Sequence, residues 1–322
     1  MKSYEYHKPQ SVKEAIDLIG SLDHAKYIAG GTDVMVMIKQ GKLAPANLIS
    51  LRSISDISYV DTKDGLKIGS GMTHSEIVDN EFIQKRYSAL VDAAGNIGSG
   101  QIRNVATLGG NICNAAPSAD SACPLLVFDA EVVIAGPNGG RTVKIDDFLQ
   151  GPNKVALEKD EIVTGIHMPD FGEKTGSAYI KHTRRKAMEL PILGIAARIT
   201  IKTGGSQACC KDVSCTPDNA TNMLKRVEDE KFVCDDVRIA MSVVAPRPIR
   251  AKKAEAALRG KVISEAVLNE IGEIAALESQ PRDSIRGKAW YRRDMVKVLT
   301  KRAILKSIER ILRPDNAKYS YR

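Results

Sequence analysis

Two glycine-rich loops constrain the fold of this chain more than any other feature. The first is "IAGGTDVM" at residues 28–35 and the second is "ATLGGNIC" at residues 106–113. A Gly pair after an apolar or extended segment indicates backbone that turns with φ > 0 or approaches something closely. Such a loop can present several backbone N–H groups to a pyrophosphate without bulky side chains. Neither loop matches GxGxxG or a P-loop, so two tight turns without a ligand remain an alternative for each loop alone.

Length and charge set broad limits. A chain of 322 residues is long enough for two or three domains with their own cores. Because no apolar run approaches the roughly 18 residues of a membrane span and "MKSYEYHKPQ" lacks a signal-peptide stretch, we predict a cytoplasmic protein. Its six cysteines are then expected to be thiols or metal ligands rather than disulfides. The net charge of +8 fits solvated helix faces, and no nucleic-acid-binding motif accompanies it.

The first half of the chain predicts two small α+β units, over residues 1–60 and 61–172. Ser11 with Glu14, and Thr73 with Glu76, have the spacing of capping boxes and predict helix starts. The second of these helical stretches extends to about Ile97. Short strands are predicted at "AKYIAG", "ANLISL", "GLKIGSG" and "EIVTGIHMP", and a hairpin at "AEVVIAG" and "RTVKI" around the turn "PNGG".

The remainder predicts a third domain over residues 173–290, followed by a C-terminal helix and tail over 291–322. The segments "SAYIKH", "GIAARITIK" and "VRIAMSVVAP" alternate as strands of an antiparallel sheet. The segments "SEAVLNEIGEIAAL" and "MVKVLTKRAILKSIERIL" have helical periodicity. An inserted hairpin at residues 206–234 carries four cysteines.

An ordered set of motifs over nearly the whole chain resembles a known family. The motifs are "AGGTDVM", "IGSGMTHSEI", "QIRNVATLGGNICNAAPSADSACPLL", "EIVTGIHMP", "YIKHTRRKAMELPILGIAARI", "VAPRPIRAKKAEAAL" and "YRRDMVKVLTKRA". Together they resemble the FAD-binding medium subunit of the molybdenum hydroxylases, the family of xanthine dehydrogenase and carbon monoxide dehydrogenase flavoproteins. The resemblance implies an α+β FAD-binding fold of the vanillyl-alcohol-oxidase (PCMH) type, with two subdomains and a C-terminal domain of antiparallel sheet and helices.

The same resemblance implies where the cofactor binds. In that family the two glycine-rich loops grip the FAD pyrophosphate from two sides. The matching positions here are Ala29, Gly30, Gly31, Thr32, Asp33, Val34, Thr107, Gly109, Gly110 and Asn111. A side chain at Gly109 or Gly110 is expected to stand where phosphate oxygens approach the backbone.

Four further residues match positions around the ribose and the ring. Asp120 resembles the family residue at the adenosine ribose, where a carboxylate can accept two hydrogen bonds from a diol. Ile162 or Val163 matches an apolar residue against the isoalloxazine ring. Lys181 matches a lysine at its pyrimidine end, which would stabilise anionic reduced flavin, although an ordinary solvated lysine is the alternative.

The function implied is electron transfer within a hetero-oligomer. A molybdopterin large subunit oxidises the substrate, a small subunit relays electrons through two 2Fe-2S clusters, and the flavin passes them to NAD or another acceptor. This chain lacks the cysteine spacing for those clusters and is too short for the large subunit. A stand-alone FAD oxidoreductase of the same fold, or a binding module without flavin, are the alternatives.

The histidines and cysteines offer no catalytic group. Thr73 is expected to cap a helix and His74 to be a surface or capping residue, and no histidine has hydrolase or zinc spacing. The inserted hairpin contains Cys209, Cys210, Cys215 and Cys234, in a spacing that matches neither ferredoxin nor a zinc site. A metal or cluster, a disulfide-forming thiol pair, and a loop with incidental thiols and one helical turn stay open. We expect FAD to be the only redox cofactor.

Overall fold

The first unit is a small parallel sheet with two helices. The computed structural model describes residues 3–202 and 220–313. The elements of this unit are β1 (Glu5–His7), α1 (Val12–Ser21), β2 (Ala25–Ile28), α2 (Val34–Lys39) and β3 (Asn47–Ser50). The strands lie in the order β1-β3-β2, and both pairs are parallel. Since β2 ends at Ile28, the first glycine-rich loop lies at the carboxyl end of this sheet and leads into α2.

The second unit has one antiparallel sheet of five strands in the order β4-β5-β10-β6-β7. Its strands are β4 (Val60–Asp61), β5 (Leu66–Gly69), β6 (Glu131–Gly136), β7 (Gly139–Lys144) and β10 (Ile162–Met168), with a separate pair, β8 (Leu149–Gly151) and β9 (Lys154–Val155). Its helices are α3 (His74–Asp79), α4 (Glu81–Arg86), α5 (Ser88–Gly95), α6 (Gly100–Arg103), α7 (Leu108–Asn114), α8 (Ala122–Val127) and α9 (Ile145–Phe148). A 3-10 turn, Ser55–Ile57, precedes the sheet.

The third unit is an antiparallel sheet in the order β11-β12-β13-β14. Its strands are β11 (Thr175–His182), β12 (Leu193–Lys202), β13 (Val233–Ser242) and β14 (Ile249–Arg250). Its helices are α10 (Ala220–Asp229), α11 (Lys252–Leu258), α12 (Glu265–Glu278) and α13 (Ala289–Leu312). The predicted domain boundaries stay a prediction; β4 of the second sheet begins at Val60, the last residue of the predicted first domain.

Strand alternation explains how the third sheet joins the second unit. One face carries large aliphatic side chains, such as Leu193, Ile195 and Ile199, which pack with helices α10 to α13. The opposite face carries Tyr179 and the small residues Ala196 and Ala240, which belong to the core of the second unit. Because small side chains let α5 and α8 approach closely, this sheet lies directly against the second unit.

The predicted helix starts have the expected physical cause. Thr73 and Glu76 form a complete capping box, in which each side chain accepts a hydrogen bond from the other's backbone N–H. Ser11 accepts from the N–H of Glu14, but the Glu14 carboxylate accepts from Gln10 N at 2.7 Å instead of completing the box. Both helices therefore begin where the sequence predicts.

The inserted segment has more helix than expected. Cys209, Cys210 and Cys215 lie outside the described residues, whereas Cys234 is a buried residue of β13 opposite Ile201. The one helical turn expected here is in fact the ten-residue helix α10. Its Met223, Leu224 and Val227 are buried in the core of the third unit, and that apolar face stabilises a helix which the polar composition obscured.

Candidate cofactor site

The first glycine-rich loop presents a run of free backbone N–H groups. Five consecutive residues, Gly30 to Val34, have backbone N–H groups that donate no hydrogen bond to any acceptor among the described residues. Gly31 has φ +73°, which L side chains rarely adopt, so glycine permits the turn. Asp33 is exposed before α2 and its side chain caps no N–H group. Consecutive free N–H groups of this kind bind anions such as phosphate.

The two loops lie against each other through Gly30. A Cβ on Gly30 would stand 2.0 Å from the carbonyl oxygen of Val105 and 2.9 Å from Cα of Ala106. No side chain fits in that distance, so glycine allows the first loop to contact the backbone just before the second. Ala29 and Thr32, on either side of the Gly pair, are half-buried.

The second loop donates its backbone N–H groups to acceptors within the protein. This differs from the expectation that both loops donate such groups to the pyrophosphate. Leu108 N donates to Met72 O and Gly109 N to Ser70 O, each at 2.9 Å. Gly110 N donates to the Thr107 side chain at 3.0 Å, and Asn111 N donates to Thr107 O. This loop therefore has the N–H groups of residues 108–111 already paired.

The two glycines of the second loop have different environments. A Cβ on Gly109 would meet Ser70 at 2.6 Å, so this glycine is required by packing against the backbone of residue 70. A Cβ on Gly110 would meet only the Thr107 hydroxyl oxygen at 3.0 Å, and Gly110 is exposed. Of the two, only Gly110 faces a space that a cofactor could use.

A buried charge cluster connects the second loop to the third sheet. Asn111 accepts a hydrogen bond from Ser121, the residue after Asp120. The Asp120 carboxylate accepts from the Tyr179 hydroxyl at 2.7 Å and from the Lys181 ammonium at 2.8 Å, while Lys181 also donates to the Asn96 carbonyl. The side chains of Asp120 and Lys181 are both 7% exposed. The two residues thus form one ion pair, and Lys181 is not an ordinary solvated lysine.

Burial controls protonation within this cluster. Desolvation raises the pKa of the Asp120 carboxyl, although the Lys181 ammonium and the Tyr179 hydroxyl act to lower it. Burial, followed by the negative charge of Asp120, raises the pKa of the Tyr179 hydroxyl well above its ordinary value. Tyr179 therefore stays a hydrogen-bond donor. Because Asp120 and Lys181 are in direct contact, they cannot serve the adenosine ribose and the isoalloxazine ring as two separate ends of one FAD, so the two expected assignments conflict.

Ile162 and Val163 lie in two different cores. As neighbours on β10 they point to opposite faces of the sheet, Ile162 into the core of the first unit and Val163 into that of the second. They are 3% and 4% exposed, so neither presents an open apolar surface in this structure. A ring contact by either residue stays a prediction.

His74 is neither the surface residue nor the capping residue that the sequence predicts, since Thr73 caps α3. Its side chain is buried, and neither ring nitrogen has a hydrogen-bond partner among the described residues. Burial, with a smaller effect of the Arg103 charge, lowers the pKa of His74 to about 4. His74 N donates to Ala106 O, so this neutral histidine lies beneath the second loop.

Comparison with known proteins decides the family. A family model described as the FAD binding domain in molybdopterin dehydrogenase matches residues 2–171, and one described as the CO dehydrogenase flavoprotein C-terminal domain matches residues 219–307. The chain belongs to the FAD-binding subunits of the molybdopterin dehydrogenases. It is accordingly an oxidoreductase subunit, and its cofactor is FAD.

Individual relatives of this family cover almost the whole chain. The chain is 33% identical over 306 residues to the xanthine dehydrogenase FAD-binding subunit of Escherichia coli O157:H7, covering 94% of this chain and 95% of that one. It is 29% identical over 303 residues to the carbon monoxide dehydrogenase medium chain of Hydrogenophaga pseudoflava, covering 94% and 96%. A solved carbon monoxide dehydrogenase from Hydrogenophaga pseudoflava, which lacks the Mo-pyranopterin moiety, superposes with a TM-score of 0.83 at 30% identity over 96% of this chain and 98% of that chain.

The chemistry of the described residues also fits FAD, in agreement with the family match. The free N–H groups of the first loop suit the pyrophosphate, and the Lys181 ammonium suits a site where a reduced ring carries negative charge. No three His, Cys, Asp or Glu side chains come together as a metal site within residues 3–202 and 220–313. No helix in these two ranges is long and apolar enough to cross a bilayer.

Sequence reasoning missed two residues of the site. Tyr179 bonds Asp120, and its position follows from the alternation of β11, which puts residues 179 and 181 on one face. Ser70 donates to Val163 O at 2.5 Å and accepts from Gly109 N. No local pattern indicates Ser70, because both of its partners are distant in sequence.

Proposed function

We propose that this chain transfers electrons from the 2Fe-2S clusters of a small partner subunit, through FAD, to NAD or another acceptor. A molybdopterin large subunit completes the complex and oxidises the substrate. The observation that carries the proposal is the run of five free N–H groups in the first loop, because consecutive N–H groups of this kind can bind the pyrophosphate of FAD. The names of the relatives, FAD-binding subunit and medium chain, support a division of labour among subunits.

The bound flavin supplies the one- and two-electron chemistry, and the residues of this chain bind and bias it. We assign residues 30–34 to the pyrophosphate, with Ala29 beside them. Thr107, Gly110 and Asn111 flank the same group, and Gly109 fixes their loop by packing. Asp120 holds Lys181 in place, and the Lys181 ammonium favours the negatively charged reduced ring.

The test uses the complete complex with Lys181→Met, whose flavin should have a more negative midpoint potential. In stopped-flow reduction by substrate, the flavin absorbance should bleach more slowly while the iron–sulfur signal appears at the wild-type rate. Because Lys181→Met leaves Asp120 buried without its cation, the double variant Asp120→Asn with Lys181→Met keeps the comparison free of a folding defect. Lys202→Met, at an exposed ion pair on β12, is the matched control.

Two outcomes would contradict the proposal. An unchanged flavin potential between Asp120→Asn and the double variant, which differ only in the charge of residue 181, would exclude Lys181 from the ring site. If the isolated chain oxidised an organic substrate without partner subunits, a stand-alone oxidoreductase would replace the relay.

A further inference from the structure

The face of the third sheet that meets the second unit has a gap in its layer of side chains at Gly194. On this face the strand register places Lys181 of β11, Gly194 of β12 and Ser242 of β13 opposite one another in a single row. Tyr179 lies one row away on the same face, because it is two residues before Lys181 on β11. Glycine at the centre of the row therefore leaves space that a neighbouring side chain can fill.

The Tyr179 side chain fills that space. A Cβ on Gly194 would stand 2.9 Å from Cε2 of the Tyr179 ring, 2.7 Å from Ser242 Oγ and closer still to the Tyr179 hydroxyl oxygen. Since a Cβ essentially never approaches other heavy atoms within 3.0 Å, only glycine lets the Tyr179 hydroxyl lie over β12. From this position the hydroxyl donates to the Asp120 carboxylate at 2.7 Å.

The Asp120 carboxylate has one donor at each oxygen within the described part of the chain. Oδ1 accepts from the Tyr179 hydroxyl, and Oδ2 accepts from the Lys181 ammonium at 2.8 Å. Asp120 is buried, so these two donors replace most of the water that an exposed carboxylate would bind. A buried carboxylate stays ionised only when such donors compensate its desolvation, and Tyr179 supplies one of the two.

The protonation of Asp120 determines how strongly Lys181 acts on its surroundings. An ionised carboxylate at 2.8 Å cancels much of the field of the ammonium, whereas a protonated one leaves the charge of Lys181 uncompensated. Desolvation raises the pKa of Asp120, and the contacts with Lys181 and Tyr179 act to lower it. The nearby Cys123 thiol adds no charge, because burial raises its pKa to about 12. Loss of one hydrogen bond to a charged group changes such an equilibrium by about ten- to a hundredfold.

We propose that Tyr179 is a positioning residue that keeps Asp120 ionised as the counter-charge of Lys181, and that Gly194 makes this contact possible. Tyr179 thereby limits the effect of the Lys181 charge on a bound flavin. The effect on the flavin rests on the proposed function, in which Lys181 lies at the ring, whereas the ionisation of Asp120 is independent of it.

Infrared spectroscopy measures the ionisation of Asp120 directly. In the purified full chain at neutral pH, Tyr179→Phe should show the C=O stretching band of a protonated carboxyl, and adding Asp120→Asn should abolish that band. The wild type and Tyr87→Phe should lack it. Tyr87 is the matched control, because it is a buried tyrosine whose hydroxyl donates to a different acceptor, Pro169 O, at 2.8 Å. An Asp120 that stays ionised in Tyr179→Phe would overturn the proposal.

The flavin midpoint potential of the complete complex gives a second test. An uncompensated Lys181 charge favours the anionic reduced ring, so Tyr179→Phe should shift the potential to a more positive value, as Asp120→Asn should. In the Asp120→Asn background the tyrosine change should shift the potential no further, because it acts through that carboxylate. An equal shift with and without Asp120 would refute a positioning role.

The two tests separate this proposal from the assignment of Lys181 to the ring. If Tyr179→Phe protonates Asp120 and leaves the flavin potential unchanged, the role of Tyr179 stands and Lys181 does not act on the ring.

Gly194→Ala tests the same contact without removing the hydroxyl. The added Cβ would displace the Tyr179 hydroxyl from its place over β12, so the protonated carboxyl band should appear in this variant as well. Combining it with Tyr179→Phe should restore part of the Tm that Gly194→Ala loses, because phenylalanine lacks the oxygen nearest to that Cβ. A folded Gly194→Ala protein in which Asp120 is still ionised would disprove the role of Gly194.

Discussion

The buried His74 predicts a specific pH dependence of folding. The pKa of this imidazole is lowered to about 4 in the folded protein, whereas its ordinary value is 6.5. Below pH 6.5 the unfolded chain therefore takes up a proton that the folded protein refuses until about pH 4. The free energy of unfolding should fall across this window as the pH is lowered, and no further at lower pH on account of this group.

The size of the effect follows from the same two values. The interval between 6.5 and about 4 corresponds to roughly 3 kcal/mol, at about 1.36 kcal/mol per pH unit. His74→Leu should remove this contribution, because leucine cannot titrate. At neutral pH the variant should be as stable as the wild type or more stable, since it no longer buries two ring nitrogens that lack partners in the described chain.

The measurement is urea unfolding of the FAD-saturated protein at a series of pH values from 7.5 to about 4. It gives the free energy of unfolding of the wild type and of His74→Leu at each pH. Carboxylates contribute equally to the wild type and His74→Leu, so the informative quantity is the gap between their two curves. His24→Asn is the control, because His24 is exposed and asparagine tolerates its φ of +49°. Parallel curves for the wild type and His74→Leu would refute the buried neutral histidine.

Two further predictions concern the loops and the C-terminal helix. Gly30→Ala should both weaken FAD binding and lower the unfolding midpoint, since its Cβ collides with Val105 O. Gly110→Val should lose FAD binding in an equilibrium titration, yet its apoprotein should keep the wild-type unfolding midpoint. Arg310→Met should cost about 3 kcal/mol in urea unfolding, because it removes the two-bond guanidinium partner, at 2.7 and 2.8 Å, of the buried Asp92 carboxylate.

Local chemistry made much of the fold predictable. The hairpin of β6 and β7 follows from its turn residues, and β11 to β13 follow from their alternation. Pairing of β1 with β3, by contrast, depends on contacts between residues about forty positions apart, which no window of sequence contains. The burial of His74 did leave a signal, because residues 74 and 77 lie on one face of α3 and Ile77 is apolar.

The chemistry of the candidate site was only partly predictable. A Gly pair marks both segments, and the family resemblance gives their ligand, but only the first follows a strand, since the second pair lies at the start of helix α7. Which N–H groups are free, however, is decided by distant acceptors such as Met72 O and Ser70 O. The pairing of Asp120 with Lys181 has the same origin, because it joins the second unit to the third sheet.

The two glycine-rich loops thus each contain a Gly pair, for different physical reasons. In the first loop glycine provides the turn and the close contact that leave a run of N–H groups free. In the second, Gly109 permits the backbone to bond Ser70, whose own N–H donates to Thr164 O and whose hydroxyl donates to Val163 O. Ser70 therefore connects the end of β5 with β10 and the second loop. Ser70→Ala should therefore disturb cofactor binding only indirectly, because it removes the hydroxyl bond to Val163 O while the bond from Gly109 N to the backbone carbonyl of residue 70 remains.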